Sequence, residues 1–270
     1  MTGTLRSTCV TVSGGSWGVR RALFGAAEVL VAESNAAAGS LTAALAAERL
    51  IERTSGGRTT SVILATGNSQ ISFLDALTRR ADVPWARVSI FHMDEYVGLP
   101  VSHPASFRRF LTDHLVASVQ PRAFHGIDGN ATSLATEMRR YHALLAADPP
   151  SLCVMGIGEN GHLAFNDPPA DFGTSESIRV VELAAASRRQ QVGEGHFVAI
   201  EDVPLRAITL TIPTLLAPER VLVLVPERRK AEAVRSALTG PVSSECPASI
   251  LQRSRGVTIL VDGDSASLLP

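Results

Sequence analysis

Residues 151–172 read SLCVMGIGENGHLAFNDPPADF, and this stretch decides the fold that we expect for the whole chain. Its first residues, Ser151–Met155, form a largely apolar run typical of a short buried strand. Three of the next six residues are glycines, which let a backbone turn tightly and approach a ligand closely. His162 follows at once, and Asp167 lies five residues further on. A buried strand that leads into such a loop is typical of α/β enzymes, whose ligand sites lie at the carboxyl edge of the sheet.

The same loop also fits a dinucleotide-binding fingerprint. Residues 156–161 match the pattern G-x-G-x-x-G, and Glu182 lies at a suitable distance to hold a ribose. That interpretation requires a helix directly after Gly161, with its N-terminus on the pyrophosphate. Pro168-Pro169 would limit the helix to fewer than two turns, because proline lacks the N–H donor and clashes with the preceding turn. We therefore favour a histidine loop over a nicotinamide or flavin site.

Further strands and helices alternate along the chain. Continuous β-branched and apolar runs predict strands at Thr60–Ala65, Arg87–Met93, Ile178–Leu183, Ala207–Ile212, Arg220–Val225 and Gly256–Val261. Helical spacing of apolar residues predicts helices at Ile71–Arg80, Ala105–Leu115, Thr132–Ala147 and Arg228–Leu238. This alternation predicts an α/β fold with a doubly wound, mostly parallel sheet and helices on both faces.

The first fifth of the chain has a different composition. Residues 1–21 are rich in Ser, Thr and Gly, which predicts an extended or partly mobile segment. Residues 22–53 are rich in Ala, Leu and Glu with helical spacing, which predicts one or two helices. No linker is long enough to separate two domains after that, so we expect residues 22–270 to form a single domain.

Charge and composition exclude several classes of function. The net charge is -1, which offers no basic face for nucleic acid. The longest apolar region, residues 25–47, is interrupted by Glu28, Glu33 and Asn35, so we expect no membrane span. No secretory signal is evident, and the three cysteines are too scattered for a disulfide framework or a metal site. We therefore expect a cytoplasmic protein without a metal ion.

A second loop has the composition of an anion site. The strand predicted at Thr60–Ala65 leads into Thr66, Gly67, Asn68 and Ser69, just before a predicted helix. Backbone N–H groups and the helix dipole at such a junction favour an anion, and the hydroxyl groups add donors. The alternative is a capped helix without a ligand, with Asn68 or Ser69 as the N-cap.

Two further features have a candidate role. Asp94 and Glu95 follow a predicted strand, and adjacent side chains there point to opposite sides, so at most one can face a site. Lys230 is the only lysine among the 25 basic residues. A lone lysine indicates either chance or a position that needs a compact ammonium rather than a planar guanidinium.

Five separated motifs together resemble the glucosamine-6-phosphate deaminase/isomerase family, which is related to the 6-phosphogluconolactonases. They are ATGNSQ (65–70), FHMDEYVGLP (91–100), GIGENGHLAFNDP (156–168), LTIPTLLAPE (210–219) and RRKAEAVRSALTGPVSSECPASILQ (228–252). The resemblance implies a Rossmann-like fold and an enzyme that uses no metal or redox cofactor. It also implies a small-molecule sugar phosphate as the substrate, converted to a ketose phosphate and ammonia.

The resemblance also implies roles for individual residues. Thr66, Gly67, Ser69 and Lys230 match the residues of the family that bind phosphate. His162 matches the residue that opens the sugar ring, and a neutral imidazole is suited to that proton transfer. Asp167 matches the carboxylate that orients the histidine. Asp94 matches the base that removes the proton from C2, whereas Glu95 is expected to serve the structure.

Two departures from the family leave alternatives open. Many relatives have an aspartate where this chain has Asn160, and the family usually has a glutamate where this chain has Asp167, shorter by roughly 1.5 Å. No arginine in residues 187–197 clearly matches the family's phosphate-binding arginine; Arg188, Arg189 and His196 are the candidates. Lactone hydrolysis or isomerisation on the same scaffold, or sugar-phosphate binding without catalysis, are the alternative functions. Helical faces and a Pro-rich tail are compatible with a homo-oligomer.

Overall fold

A nine-stranded sheet forms the centre of the molecule in a computed structural model, which describes residues 5–12 and 15–270. Three other strands form a small antiparallel sheet at its edge. The strands are β1 (Arg6–Val12), β2 (Gly15–Phe24), β3 (Ala27–Ala32), β4 (Thr60–Leu64), β5 (Val88–His92), β6 (Asp94–Tyr96), β7 (Ala123–His125), β8 (Leu152–Met155), β9 (Ile178–Glu182), β10 (Arg206–Leu210), β11 (Arg220–Val225) and β12 (Val257–Asp262).

Helices connect these strands and cover the large sheet. They are α1 (Asn35–Thr54), α2 (Ile71–Thr78), α3 (Phe107–Leu111), α4 (Ala117–Val119), α5 (Leu134–Ala147), α6 (Ala185–Gly193), α7 (Ile212–Leu216) and α8 (Ala231–Thr239). A π-helical turn at Thr112–Val116 joins α3 to α4. Short 3₁₀ turns precede α2 and α8, at Asn68–Gln70 and Arg228–Lys230.

The order of strands in the large sheet is β1-β2-β3-β12-β11-β8-β4-β5-β7. From β3 to β7 every neighbouring pair is parallel, whereas β1 and β2 form an antiparallel hairpin added to β3. This confirms the predicted α/β fold with a mostly parallel sheet. The chain runs outward from β4 to β5 on one side, and from β8 to β11 and β12 on the other. The switch point therefore lies between β4 and β8, where α/β proteins place their ligand sites.

Alternation along the central strands separates two hydrophobic cores. In β4, Val62 and Leu64 pack on one side of the sheet and Ile63 packs on the other. On the first side the core includes residues of α1 and α2, and on the second it includes residues of α5 and α8. Because both faces are covered, these strands are apolar throughout, which explains their continuous β-branched runs.

The N-terminal part of the chain differs from the sequence prediction. The sequence predicts one or two helices over residues 22–53, but α1 begins only at Asn35, where Ser34 caps it by accepting a hydrogen bond from Ala37 N–H at 3.2 Å. The residues before it lie in β2 and β3, and Val29–Val31 is buried in the sheet. The Ala-rich composition of the whole range favours a helix, but the short β-branched segment Val29–Val31 pairs in the sheet as part of β3.

The hairpin β1–β2 covers most of the segment predicted to be extended. Residues 1–4, 13 and 14 of that segment lie outside the described residues. Strand β2 continues past residue 21 and pairs with β3 from Arg20 to Phe24. Whether the hairpin is separable from a domain comprising residues 22–270 stays a prediction.

Candidate active site

Loops from three neighbouring parallel strands meet at the switch point and line one cleft. They follow β4, β8 and β11, and the segment around α6 closes the cleft from the outside. The cleft encloses ≈ 580 Å³ of empty space that is partly open to solvent. Asp94, His162 and Lys230 all line it, although they are far apart in the sequence.

The loop after β4 presents backbone donors to this cleft. Gly67 has φ 98° and ψ 166°, a conformation that only glycine adopts without strain. The N–H groups of Gly67, Asn68 and Ser69 donate no hydrogen bond to any described residue. Thr66, Gly67 and Ser69 line the cleft, whereas the Asn68 side chain turns away and donates to the carbonyl of Glu194 at 3.0 Å.

The N-cap that the alternative places at Asn68 or Ser69 is not formed. Neither Asn68 nor Ser69 accepts a hydrogen bond from a helical N–H group, and the turn before α2 has no side-chain cap. The Ser69 hydroxyl instead accepts from the Gln70 amide at 3.1 Å. The N–H groups of residues 67–69 are therefore available as donors, as the anion-site interpretation requires.

Lys230 lies at the end of a 3₁₀ turn on the opposite wall of the cleft. It is 3 % exposed, and within the described part of the chain its ammonium makes no hydrogen bond or ion pair. Burial lowers the pKa of Lys230, with the charge of Glu194 opposing this effect. Buried cations are rarely left without a partner. An anion in the cleft would supply that partner.

His162 lies beneath the glycine-rich loop, against the backbone of Gly158. A Cβ atom on Gly158 would fall 2.1–2.3 Å from three atoms of the imidazole, so only glycine leaves room for the ring. Gly158 N–H donates to the carbonyl of His162 at 2.9 Å and closes the loop. No helix follows Gly161; a tight turn closed by a bridge between Leu163 and Asn166 takes its place. The helix required by a dinucleotide fingerprint is therefore not formed.

Three side chains behind the ring fix its orientation. The Asn160 amide donates to Asp167 Oδ1 at 2.9 Å, and its Oδ1 accepts from the backbone N–H of His162 at 3.1 Å. These partners settle which end of the amide faces the ring, so Oδ1 accepts from His162 Nδ1 at 2.7 Å. The Ser187 hydroxyl donates to Asp167 and lies 3.0 Å from the same Nδ1. Nδ1 therefore carries the proton in the neutral ring, and Nε2 is the basic nitrogen.

This network accounts for the shorter carboxylate at position 167. Asp167 Oδ1 remains 3.4 Å from His162 Nδ1, too far for a strong direct hydrogen bond, and Asn160 and Ser187 bridge the two groups. Burial would raise the pKa of Asp167, but the neighbouring His162 and the hydrogen bonds from Ser187 and Asn160 outweigh it and hold the pKa at about 2. Asp167 is thus charged at neutral pH. Asn160 and Asp167 lie behind the ring rather than along the cleft, as positioning residues.

Asp94 occupies the inner wall of the cleft, at the start of β6. It is 6 % exposed, and its carboxylate accepts no hydrogen bond from a described residue. Burial, with the adjacent charge of Glu95, raises the pKa of Asp94 well above its ordinary value. A buried, unshared carboxylate with a raised pKa is a suitable general base.

Glu95 serves the structure, as the sequence predicted. Its carboxylate accepts hydrogen bonds from the Ser106 hydroxyl at 2.8 Å and from the N–H groups of Phe107 and Arg108 at 3.1 and 2.9 Å. These bonds anchor the start of α3 beside the cleft. Adjacent acids therefore have separate tasks because β6 directs them to opposite sides.

Helix α6 contributes residues that sequence reasoning missed. Ser187, Gln191 and Glu194 reach the His162 network or the cleft from this segment, which carries no periodic apolar signal. Gln191 accepts a hydrogen bond from the hydroxyl of buried Tyr96 at 2.8 Å, which fixes its amide.

The three candidates for a phosphate-binding cation in this segment do not line the cleft. Arg188 donates to the carbonyl of Ile200, Arg189 is exposed beside a neighbouring groove, and His196 lies 3.5 Å from the carboxylate of Glu194. In residues 5–12 and 15–270, no three His, Cys, Asp or Glu side chains are grouped as metal ligands. Within the same residues, no helix is long and apolar enough to cross a membrane.

A parallel α/β sheet with a polar cleft at its switch point is typical of a class of enzymes that act on small ligands. Comparisons with known proteins identify the family within this class. A family model for glucosamine-6-phosphate isomerases/6-phosphogluconolactonase matches residues 32–260. A Bacillus cereus protein named glucosamine-6-phosphate deaminase is 37 % identical over 205 residues, which are 76 % of this chain and 76 % of the relative. A protein of the same name from Exiguobacterium sibiricum is 36 % identical over 206 residues, with coverage of 76 % and 80 %.

Solved structures agree with these relatives. The structure of a monomeric glucosamine-6-phosphate deaminase matches with a TM-score of 0.80 and 30 % identity, over 89 % of this chain and 99 % of that one. A 6-phosphogluconolactonase from Shewanella baltica matches with a TM-score of 0.70 at 17 % identity, over 87 % and 96 %, which shows the shared fold. This chain belongs to the glucosamine-6-phosphate isomerase/6-phosphogluconolactonase family.

Proposed function

We propose that this protein is a glucosamine-6-phosphate deaminase, which converts glucosamine 6-phosphate and water to fructose 6-phosphate and ammonia. The observation that carries the proposal is that Asp94, His162 and Lys230 line one cleft. A hexosamine phosphate needs a base for a carbon-bound proton, a group that opens the ring and a cation for the phosphate. The cleft offers one residue for each task.

The phosphate is bound at the outer end of the cleft. The free N–H groups of Gly67, Asn68 and Ser69 and the ammonium of Lys230 are donors that match its oxygens. Lys230, which is buried, thereby gains the hydrogen-bonded partner that it lacks among the described residues. This end of the cleft fixes the substrate and leaves the sugar ring between His162 and Asp94.

His162 opens the ring by moving one proton. Its Nε2 takes the proton from the hydroxyl on C1, the bond between C1 and the ring oxygen breaks, and the proton passes to that oxygen. An open-chain aldehyde results. Because Asp167 stays charged behind the ring, with Asn160 and Ser187 between, the imidazolium formed during the transfer is stabilised.

Asp94 then removes the proton on C2. The electron pair left on C2 forms a double bond to C1, and the aldehyde oxygen takes up a proton. Return of a proton to C1 converts the C2 amine to an imine. Addition of water to C2 and departure of ammonia give the ketose phosphate. The raised pKa of Asp94, caused by burial and the charge of Glu95, makes its carboxylate a stronger base for this carbon acid.

An assay of ammonia and fructose 6-phosphate with the purified protein tests the proposal. We expect equal amounts of both products from glucosamine 6-phosphate, and loss of turnover in Asp94→Asn with substrate binding retained. Galactosamine 6-phosphate in the same assay identifies the preferred epimer.

Three outcomes would contradict the proposal. Binding without turnover by the folded protein would indicate a sugar-phosphate sensor. Hydrolysis of 6-phosphogluconolactone by both the natural protein and Asp94→Asn would indicate a lactonase, since lactone hydrolysis abstracts no proton from C2. Isomerisation without release of ammonia would indicate a sugar-phosphate isomerase.

A cytoplasmic location is part of the proposal. The three cysteines are free, which is compatible with a reducing compartment. Self-association into a homo-oligomer stays a prediction, which sedimentation of the purified protein would test.

A further inference from the structure

Glu194 places a carboxylate in the part of the cleft that faces the phosphate loop. It directly follows α6, and its side chain is only 7 % exposed. Its Oε2 lies 3.8 Å from the position that a Cβ atom on Gly67 would occupy. It lines the same cleft as Lys230, and it contributes the largest attractive charge on that ammonium. A negative group therefore stands beside the loop that the proposed function assigns to a negative substrate.

Several partners hold this carboxylate in place. Oε1 accepts hydrogen bonds from the Gln190 amide at 2.8 Å and from Arg229 at 2.9 Å, and His196 lies 3.5 Å from Oε2. Its backbone carbonyl accepts from Asn68, so the segment is tied to the phosphate loop itself. Burial would raise the pKa of Glu194, but the nearby His196, the hydrogen bond from Gln190 and the charges of Lys230 and Arg229 reduce it to about 2. The group is charged at neutral pH.

Arg229, which lies beside Glu194, forms ion pairs with three carboxylates. Arg229 bonds Glu227 at 2.6 Å and Glu159 at 3.1 Å in addition to Glu194. Arg229 precedes Lys230 in the chain; its guanidinium hydrogen-bonds the Glu194 carboxylate, whereas the ammonium of Lys230 acts on that carboxylate through its charge alone. Two cations around one buried carboxylate form the type of environment that also binds a phosphate.

A phosphate and this carboxylate could not share the site without a large penalty. Two like charges about 5 Å apart at an effective dielectric constant near 20 repel each other enough to weaken binding roughly 100-fold. The carboxylate must leave for the phosphate to bind with full affinity. Because Glu194 follows α6 directly, its departure moves the segment that closes the cleft.

We propose that Glu194 is a negative group beside the phosphate site, which competes electrostatically with the phosphate of the substrate for the charge of Lys230 and releases Arg229 to that phosphate when it is displaced. The identity of the anion rests on the proposed function, but the competition can be measured without catalysis. Glu194 thereby couples binding of the phosphate end of a ligand to movement of the segment 185–197.

Calorimetric titration with inorganic phosphate tests this competition. We expect Glu194→Gln to tighten phosphate binding at least 10-fold, because the repelling charge is removed while the side-chain shape is kept. Glu201→Gln is the matched control, since Glu201 is an exposed glutamate on the same connecting segment; its affinity should stay within twofold of the natural protein. Unchanged or weaker binding by folded Glu194→Gln would overturn the proposal, and so would undetectable phosphate binding by both proteins.

A second measurement uses the natural protein and is independent of how the variant folds. The N–H groups of Glu194 and His196 donate to Gln190 and Gln191 at 2.8 and 3.0 Å. Saturating phosphate should increase their hydrogen exchange, because displacement of the carboxylate loosens this segment. Increased protection would contradict the proposal. Ammonia release without tighter phosphate binding in Glu194→Gln would refute the competition alone, whereas tighter binding in a protein without deaminase activity would refute only the proposed function.

Discussion

Replacement of Gly158 by alanine should move the His162 imidazole out of its working position. The new Cβ would lie 2.1 Å from Cε1, 2.2 Å from Nε2 and 2.3 Å from Nδ1 of the ring. Non-bonded carbon atoms normally approach no closer than about 3.5 Å, so the ring must retreat by more than about 1 Å. This retreat would break the hydrogen bonds of Nδ1 with Asn160 and Ser187.

The size of the effect follows from this displacement. A shift of about 1 Å in a reacting group costs on the order of 100-fold in rate. We therefore expect kcat for ammonia release to fall roughly 100-fold or more. The phosphate end of the site is untouched, so KM should change much less. The backbone of Gly158 does not have a positive φ, so alanine brings no conformational strain of its own.

The assay compares kcat, KM and Tm of Gly158→Ala with those of the natural protein. Gly263→Ala is the matched control, because a Cβ there meets no atom within 4 Å and the backbone again has no positive φ. Nitrogen-15 NMR of the imidazole should show the Nδ1–H tautomer in the natural protein and its loss in Gly158→Ala. A folded Gly158→Ala protein with kcat within twofold of the natural value would refute the role assigned to the ring.

Three further changes have defined outcomes. Ser187→Ala should lower kcat roughly 10-fold with little change in KM, because a side chain that hydrogen-bonds a functional histidine typically contributes about that much. It should also shift the acid limb of the pH profile, and an unchanged profile would exclude a positioning role. Lys230→Gln should raise KM for the sugar phosphate roughly 100-fold, while kcat stays within a few-fold of the natural value. Initial rates over a range of substrate concentrations measure both constants. An unchanged KM would mean that the phosphate binds elsewhere. Asp94→Asn should abolish turnover and raise the free energy of unfolding at pH 7 by ~1–3 kcal/mol, because the neutral amide avoids the cost of burying a charged carboxylate, as urea titration will show. Burial raises the pKa of Asp94 in the folded state, so the carboxyl group of Asp94 destabilises the fold as pH rises above the ordinary carboxyl pKa. The stability gained by Asp94→Asn should therefore vanish at lower pH. A gain in stability that does not depend on pH would contradict the raised pKa.

Much of the fold follows from local sequence patterns. The apolar run of β11 was predicted to the residue, because a strand buried on both faces must be apolar at every position. The helix expected over residues 22–53 was wrong for its first part, since Ala-rich composition suits a helix while Val29–Val31 suits a strand. Pairing of β3 with β12 decides between them, and β12 lies more than 200 residues away in the chain.

The residues of the candidate site likewise include some that local sequence patterns predicted and some that they did not. Loops that directly follow buried strands were placed correctly, because the carboxyl ends of parallel strands converge on one edge, and Asp94, His162 and Lys230 therefore meet in one cleft. Ser187 and Glu194 lie on a segment that is polar on all sides, so no periodicity marks them. Only packing of α6 across the cleft brings the Ser187 hydroxyl to His162 Nδ1, at 3.0 Å.

Turnover of glucosamine 6-phosphate deuterated at C2 tests the central claim most directly, because it follows the proton that Asp94 is proposed to remove. The account predicts a primary isotope effect on the rate of ammonia release, deuterium at C1 in part of the fructose 6-phosphate, and neither in Asp94→Asn. Ammonia release by the natural protein that yields an aldose phosphate still deuterated at C2, or an isotope effect that persists in Asp94→Asn, would contradict it.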